Sequence, residues 1–176
     1  MPDNAEAHSH TIGTNRNCTV EITNVTGKYC LIEPMVHMES GFSFAPPQPT
    51  LIPNKTEVFS FTKDDNTASG AVGVFTYVLF DRQNRRRVGQ LFVMFSVPFD
   101  YNFYVNWFGV GLTKGKKDCD EKLFKHMYND KEQTDFVRHK ADGAGIVFRG
   151  EDLEVRATMS DGGCAIMKLE LYDKMS

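Results

Sequence analysis

The residues best suited to chemistry in this chain lie between Ser96 and Phe108. Thirteen positions there hold six aromatic side chains interleaved with Asn, Asp and Ser. Rings with a polar handle suit a boundary that is apolar on one side and wet on the other, such as a lipid headgroup layer. The segment includes the single tryptophan, Trp107. It neither alternates strictly nor runs uniformly apolar, so it does not read as an ordinary core strand. The competing reading is a proline-containing turn whose rings fold back into the core. The chemistry implied by these residue types is recognition.

No constellation for catalysis stands beside it. The five histidines do not pair at metal-ligand spacing; His8 and His10 fall in the polar amino-terminal segment, and His126 is expected on the exposed side of a helix. There is no nucleophile elbow, P-loop or dinucleotide fingerprint. Gly70 and Gly73 are glycine-spaced but begin a strand instead of opening a helix, which reads as close strand packing. Cys18, Cys30, Cys119 and Cys164 are scattered, with no zinc-ligand spacing, and are expected as free, mostly buried thiols. The sequons at Asn17, Asn24 and Asn54 are read as incidental. Two short basic clusters, Arg85–Arg87 and Lys114–Lys117, suit either an anionic lipid surface or a solvated loop. Neither an enzyme nor a cofactor or metal site is expected.

Composition bounds the rest. At 176 residues the chain suffices for one domain with a real core. A net charge of −3 makes no demand for a polyanionic partner such as nucleic acid. Apolar runs are of strand length, far below the roughly 20 residues of a membrane-spanning helix. The amino end lacks the basic start and apolar stretch of a signal peptide. The expectation is a soluble protein, cytosolic or released without a leader, that associates peripherally with membranes.

The elements that must position the aromatic segment are mostly strands. Residues 1–16 are polar and read as a flexible lead-in, with the folded domain over 17–176. Cys18–Thr23 alternates, with Val20 and Ile22 on one face, and Asn24–Gly27 forms the turn after it. A second strand is expected around Tyr29–Met38. The stretch Ser40–Pro53 carries four prolines and cannot be regular throughout. In Lys55–Thr62, Val58 and Ser60 face one way, Phe59 and Phe61 the other. Gly70–Phe80 and Leu91–Val97 read as strands buried on both faces, joined by an Arg-rich hairpin loop. Asn106–Thr113, Ala157–Met159 and Cys164–Tyr172 complete the set. One segment has helical period: Asp118 and Glu121 match a capping box, Cys119, Leu123 and Met127 form a buried stripe, and Phe124 and Tyr128 lie at its edge. Many short strands with one helix near 119–129 predict a mainly β fold, a β-sandwich.

At the aromatic segment the sequence resembles a known family. Phe95-Ser-Val-Pro-Phe-Asp-Tyr-Asn-Phe-Tyr-Val-Asn-Trp-Phe108 is similar to the signature stretch of the actinoporins, the sea-anemone pore-forming cytolysins. Thr23–Lys28, Glu39–Gly41, Gly70–Val74 and Ala165–Ile166 follow the family in order, so the resemblance spans about residues 17–172. The chain looks like an actinoporin-like protein from outside the anemones. The resemblance implies a β-sandwich flanked by helices, a phosphocholine site, a preference for sphingomyelin membranes, and pores formed by homo-oligomers. The matching positions for the phosphocholine site are Ser40, Val72, Ser96, Pro98, Tyr104 and Tyr128, with Phe124 where the family usually has Tyr. Phe99, Tyr101, Phe103, Trp107 and Phe108 are expected at the membrane interface.

The chain also departs from the family. Glu39 stands where the family carries Arg, placing a charge that repels phosphate. Asn129 replaces a tyrosine of the headgroup cage, and Phe103 and Phe108 replace tryptophans. The family's Arg-Gly-Asp is absent; Arg149-Gly-Glu-Asp152 is a near miss elsewhere. Residues 1–16 are too short and too polar to supply the family's pore-lining amphipathic helix, with Ile12 the only large aliphatic after Met1. The expectation is docking on phosphocholine-bearing membranes without efficient lysis from this segment. The alternative is a glycan-binding lectin on a similar sandwich, as in fungal fruit-body lectins, a role for which the Glu39 carboxylate is suited as an acceptor of sugar hydroxyls.

Overall fold

Strand-length apolar runs that are too rich to bury on one face must be covered on both, and the architecture follows from that demand. The computed structural model describes residues 4–174. Along the chain lie α1 (Ala5–Ser9), β1 (Asn17–Asn24), β2 (Tyr29–Ser40), β3 (Phe42–Ala45), β4 (Thr50–Leu51), β5 (Thr56–Thr62) and β6 (Ala71–Asp81). Then come β7 (Arg86–Val97), β8 (Trp107–Thr113), α2 (Glu121–Asn129), β9 (Phe136–Lys140), β10 (Ile146–Arg149), β11 (Leu153–Met159) and β12 (Cys164–Asp173). Two six-stranded sheets result, in the orders β10-β11-β12-β1-β5-β3 and β4-β2-β6-β7-β8-β9. The fold is the expected mainly β sandwich. Neighbouring strands run antiparallel, except that β1 lies parallel to β12.

The inner faces meet in a core built around Phe59, Phe61, Phe75 and Phe95. Phe61 stacks on Phe95 at 4.4 Å, and Phe59 meets Phe75 edge-on at 5.1 Å, both favoured geometries for ring quadrupoles. The outer face of β6 and β7 is covered as well. Val74, Phe92 and Met94 pack beneath Leu123, Phe124 and Met127 of α2 and against Phe136 of β9. These two strands are buried on both faces, as their unbroken apolar runs predict. At Gly73 an added Cβ would lie 2.6 Å from the His37 carbonyl oxygen, so the glycine spacing serves strand packing.

Several local expectations are corrected. Helix α2 is capped by Asp120, whose carboxylate accepts the Leu123 amide at 3.0 Å, so Asp118 and Cys119 lie outside the helix. The chain also holds more strand than its residues suggest: β9 and β10 occupy stretches whose short, charged patterns carry little period-2 signal. His126 is half-buried, edge-on to Phe136 at 4.9 Å, because the chain after α2 folds back along that side of the helix.

The segment from residue 4 to 16 has more form than a lead-in; residues 1–3 lie outside the described residues. Asn4 caps α1 by accepting the Ala7 amide, and Ala5 is fully buried, its amide donating to Glu21 at 3.0 Å. His8 shares a hydrogen bond with Ser60 at 2.8 Å, and Glu6 pairs with Lys168 at 2.6 Å. This cover explains why Ser60, on the outer face of β5, is buried although Phe59 and Phe61 face the core. Cys18, Cys30, Cys119 and Cys164 are free thiols; burial pushes Cys119 up to about 11, keeping it an unreactive thiol.

Candidate functional site

Register across the second sheet builds the floor of the site. Ser40 on β2 pairs with Val72 on β6, Val72 with Ser96 on β7, and Ser96 with Trp107 on β8. Residues directly opposite in a ladder share a face, so this row lies on the outer side, the side that carries α2. Beyond the row the chain leaves the sheet through Val97-Pro98 and returns at Trp107. Helix α2 supplies one wall, where Phe124 and Tyr128 stack at 5.4 Å with ring planes 17° apart. The other wall is the loop from Pro98 to Tyr104. Together they enclose a groove of about 640 Å³ lined by Ser40, Val72, Ser96, Pro98, Tyr104, Phe124 and Tyr128, with Ala68, Gly70, Phe99 and Asp100. All seven residues expected at the headgroup site therefore border one groove. At Gly70 a Cβ would sit 2.1 Å from the Val97 carbonyl, so only glycine lets this turn close against the end of β7.

The aromatic loop is held rigid at its base and bare at its tip. Asp100 accepts the Asn102 amide at 2.9 Å through its carboxylate and the Tyr104 amide at 3.1 Å through its carbonyl. The Arg16 guanidinium donates to the carbonyls of Pro98 at 3.0 Å and Phe99 at 2.8 Å, and lies 4.6 Å from the centre of the Tyr101 ring. The Tyr101 hydroxyl donates to Asn106 at 2.8 Å; Asn106, fully buried, donates in turn to the carbonyls of Ser160 and Gly162. Nothing in the local sequence marks Arg16 or Asn106 for these roles, since Arg16 acts on carbonyls 82 and 83 residues away and Asn106 donates to carbonyls 54 and 56 residues away. At the tip, Phe103 is 79% exposed and Tyr104 59%, with Phe99, Tyr101 and Val105 also exposed. Such a cluster of exposed large side chains on one loop is a mark of a surface that meets something apolar.

Two of the expected interface residues lie elsewhere. Phe108 is fully buried and pairs with Phe95 in the core between the sheets. The cause is period-2 alternation: once β8 begins at Trp107, the next side chain must point to the opposite, inner face. Trp107 is half-buried within the strand, in the row that continues the groove floor. Asn129 is exposed and outside the groove lining, as is Glu39, which lies 3.8 Å from His37.

Helix α2 is fixed to the sandwich by charge as well as packing. His126 bonds to Asp135 at 3.0 Å and also to Asp130, and Lys117 pairs with Asp135 at 2.9 Å. Burial pulls the His126 imidazole down, but the bonds to Asp135 and Asp130 outweigh it and raise its pKa above the ordinary value. Burial pushes Asp135 the other way, and His126 and Lys117 hold it below the usual carboxylate range. Arg138 donates to the Met127 carbonyl at 3.0 Å, satisfying one open acceptor in the last turn. Among the described residues no group of three or more His, Cys, Asp or Glu side chains is assembled for a metal ion, and no helix is long and apolar enough to cross a membrane.

Comparison with known proteins gives concordant matches. The family described as sea anemone cytotoxic protein matches residues 11–173. Bryoporin from Physcomitrium patens is 32% identical over 117 residues, 66% of this chain. Conoporin-Cn1 from Conus consors is 30% identical over 160 residues, 88% of this chain. Each of these matches spans 62% of the relative's own length. Among solved structures, the lipid binding protein Nakanori aligns with a TM-score of 0.68 over 97% of this chain and 79% of that one. At 14% identity this likeness establishes the fold.

Proposed function

Because the chain belongs to the family of sea anemone cytotoxic proteins, we propose that it docks on membranes bearing phosphocholine headgroups, of the sphingomyelin type. The carrying observation is the groove itself: Ser40, Ser96, Tyr104, Phe124 and Tyr128 converge on one concavity beside an exposed aromatic tip. The tyrosine and phenylalanine faces suit the trimethylammonium group, each good contact contributing about 0.5–2 kcal/mol depending on desolvation. The Ser40 and Ser96 hydroxyls are placed to donate to phosphate oxygens. Phe99, Tyr101 and Phe103 then seat in the headgroup layer. Trp107 lies beside the groove, in the row that continues its floor, and Phe108 belongs to the core. Glu39 is not among the groove-lining residues and lies 3.8 Å from His37.

Assembly of several copies and permeabilisation form a second step, proposed from family membership alone. Residues 4–16 are tied to the first sheet through Ala5, Glu6 and His8, so any rearrangement of that segment must first break those bonds. The test is co-sedimentation with sphingomyelin vesicles, read with dye release from the same sample. The Tyr104→Ala/Tyr128→Ala protein should lose binding on the order of tenfold with its fold unchanged. Undiminished pelleting of that variant would overturn the groove as the headgroup site. Pelleting without dye release would restrict the chain to docking, and release would add the lytic step. The glycan-binding alternative predicts no vesicle binding and retention on a glycan array.

A further inference from the structure

Two basic clusters that are distant in sequence meet at the end of the sandwich opposite the groove. Arg86 pairs with Asp81 where β6 turns into β7, and Gln90, further along β7, pairs with Thr113 at the end of β8. The buried Gln90 side chain ties the next loop down, accepting the Lys117 amide at 2.8 Å and donating to the Lys117 carbonyl at 2.9 Å. Residues 82–87 and 114–117 are thus anchored to the same strand. A cleft of about 210 Å³ opens between them, lined by Glu33, Val78, Arg87, Gln90, Lys114 and Lys116. Strand β7 spans 12 residues, which at about 3.3 Å per residue puts this end roughly 40 Å from the aromatic tip.

Half of the cations at this end are already used. Lys28 pairs with Asp81, Arg87 with Glu33, Lys114 with Glu151 and Lys117 with Asp135. Arg82, Arg85, Arg86 and Lys116 are exposed, and among the described residues no ion pair or side-chain hydrogen bond takes them up. The net charge of −3 over the whole chain conceals this local excess. The hairpin that presents the arginines is preorganised. The Asp81 carboxylate accepts the amides of Gln83 at 2.9 Å and Asn84 at 3.1 Å and the Asn84 side chain at 2.8 Å, and Arg85 holds a left-handed φ of 53°. A rigid array loses less conformational freedom on binding than a floppy one.

We propose that this end binds a linear sulfated polysaccharide. Guanidinium groups present planar forks that match tetrahedral oxyanions such as sulfate and phosphate in paired hydrogen bonds. Neither basic loop contains an apolar or aromatic residue, so nothing there enters a bilayer or stacks on a base. Of the cations lining the cleft only Lys116 is free among the described residues, so the oxyanions of a bound chain meet mainly the hairpin arginines Arg82, Arg85 and Arg86 beside it. The proposal is independent of the docking reading, since the two surfaces lie at opposite ends.

The test is binding to immobilised heparin at physiological ionic strength, with desulfated heparin as the control. The protein should be retained by the sulfated chain only and released as salt is raised. Arg85→Gln/Arg86→Gln should weaken binding on the order of thirtyfold, each charge counting for about a factor of five. Lys131→Gln/Lys140→Gln, with the same change in net charge elsewhere, should leave it nearly unchanged. Equal losses in the two double variants, or no retention of the parent protein, would overturn the proposal. So would stronger competition by phosphatidylserine vesicles or duplex DNA than by free heparin, assigning the surface to anionic lipid or nucleic acid instead.

Discussion

In the loop from Pro98 to Val105, Phe103 is 79% exposed; further on, in β8, Phe108 is fully buried. Both are phenylalanines within one aromatic run, and the family resemblance implies that both are interface residues. The loop makes its hydrogen bonds through Asp100, Arg16 and Asn106 and needs no sheet partner, which frees its rings to point outward. Strand β8 is paired on both sides, with β7 and β9, so each of its side chains is assigned to one face by the pleat. Aromatic character alone therefore says little about whether a ring is exposed or belongs to the core. Pairing of the backbone decides it.

The sharpest way to break this contrast is to truncate each ring in turn. Phe108→Ala should cost about 3–5 kcal/mol of stability through lost burial and a residual cavity, lowering Tm by about 10 °C or more. Phe103→Ala should change stability by no more than about 0.5 kcal/mol while reducing vesicle affinity on the order of tenfold through lost apolar burial. Thermal melts and vesicle co-sedimentation on the two variants measure both axes. The reverse pattern, with a stable Phe108→Ala protein, would contradict the assignment of these rings to core and tip.

A smaller effect is expected at the base of the loop. Arg16→Ala removes four guanidinium–carbonyl bonds, three of them to Pro98 and Phe99, and the stacking over Tyr101. The site is half-exposed, so the cost should be about 1 kcal/mol, a Tm change of about 2–4 °C. Amide exchange should accelerate in residues 98–105 while β8 keeps its protection. Equal acceleration in β8 would mean that loop and strand open as one unit.

The smallest effect should come from pH. The pKa of His126 is raised in the folded protein, so its bonds to Asp135 and Asp130 contribute stability that is fully present below the unfolded value near 6.5 and is lost as pH rises through the raised folded value. Asp135 is depressed, and its contribution is present above its unfolded value and lost as pH falls through the folded one. Tm should therefore decline slightly from about pH 6 to about pH 8, and His126→Gln should flatten that decline. A parent protein with the same slope as the variant would show that His126 does not anchor α2.

Much of the frame is legible in the order of the amino acids. Alternation in Cys18–Thr23 and Cys164–Tyr172, and the unbroken runs of β6 and β7, report the local demand for burial on one face or two. The stripe of Leu123 and Met127 locates α2, though its cap lies two residues later than the Asp118 pattern suggests. The short strands β9 and β10 are not legible, because few of their residues are buried and tertiary pairing holds them. The seven groove residues follow from family resemblance, residue by residue; spacing alone does not join Ser40 to Tyr128.

Hydrophobic period acts within a few neighbouring residues, so the chain's own pattern dictates which segments are strands and which of them bury both faces. Residue types likewise concentrate aromatics, hydroxyls and amides between Ser96 and Phe108. Long-range packing settles the rest: Phe108 belongs to the core, Arg16 and Asn106 brace the loop, and two basic clusters share one end. Those outcomes depend on register and on which strands lie side by side, and register is set by the whole sheet closing over its core.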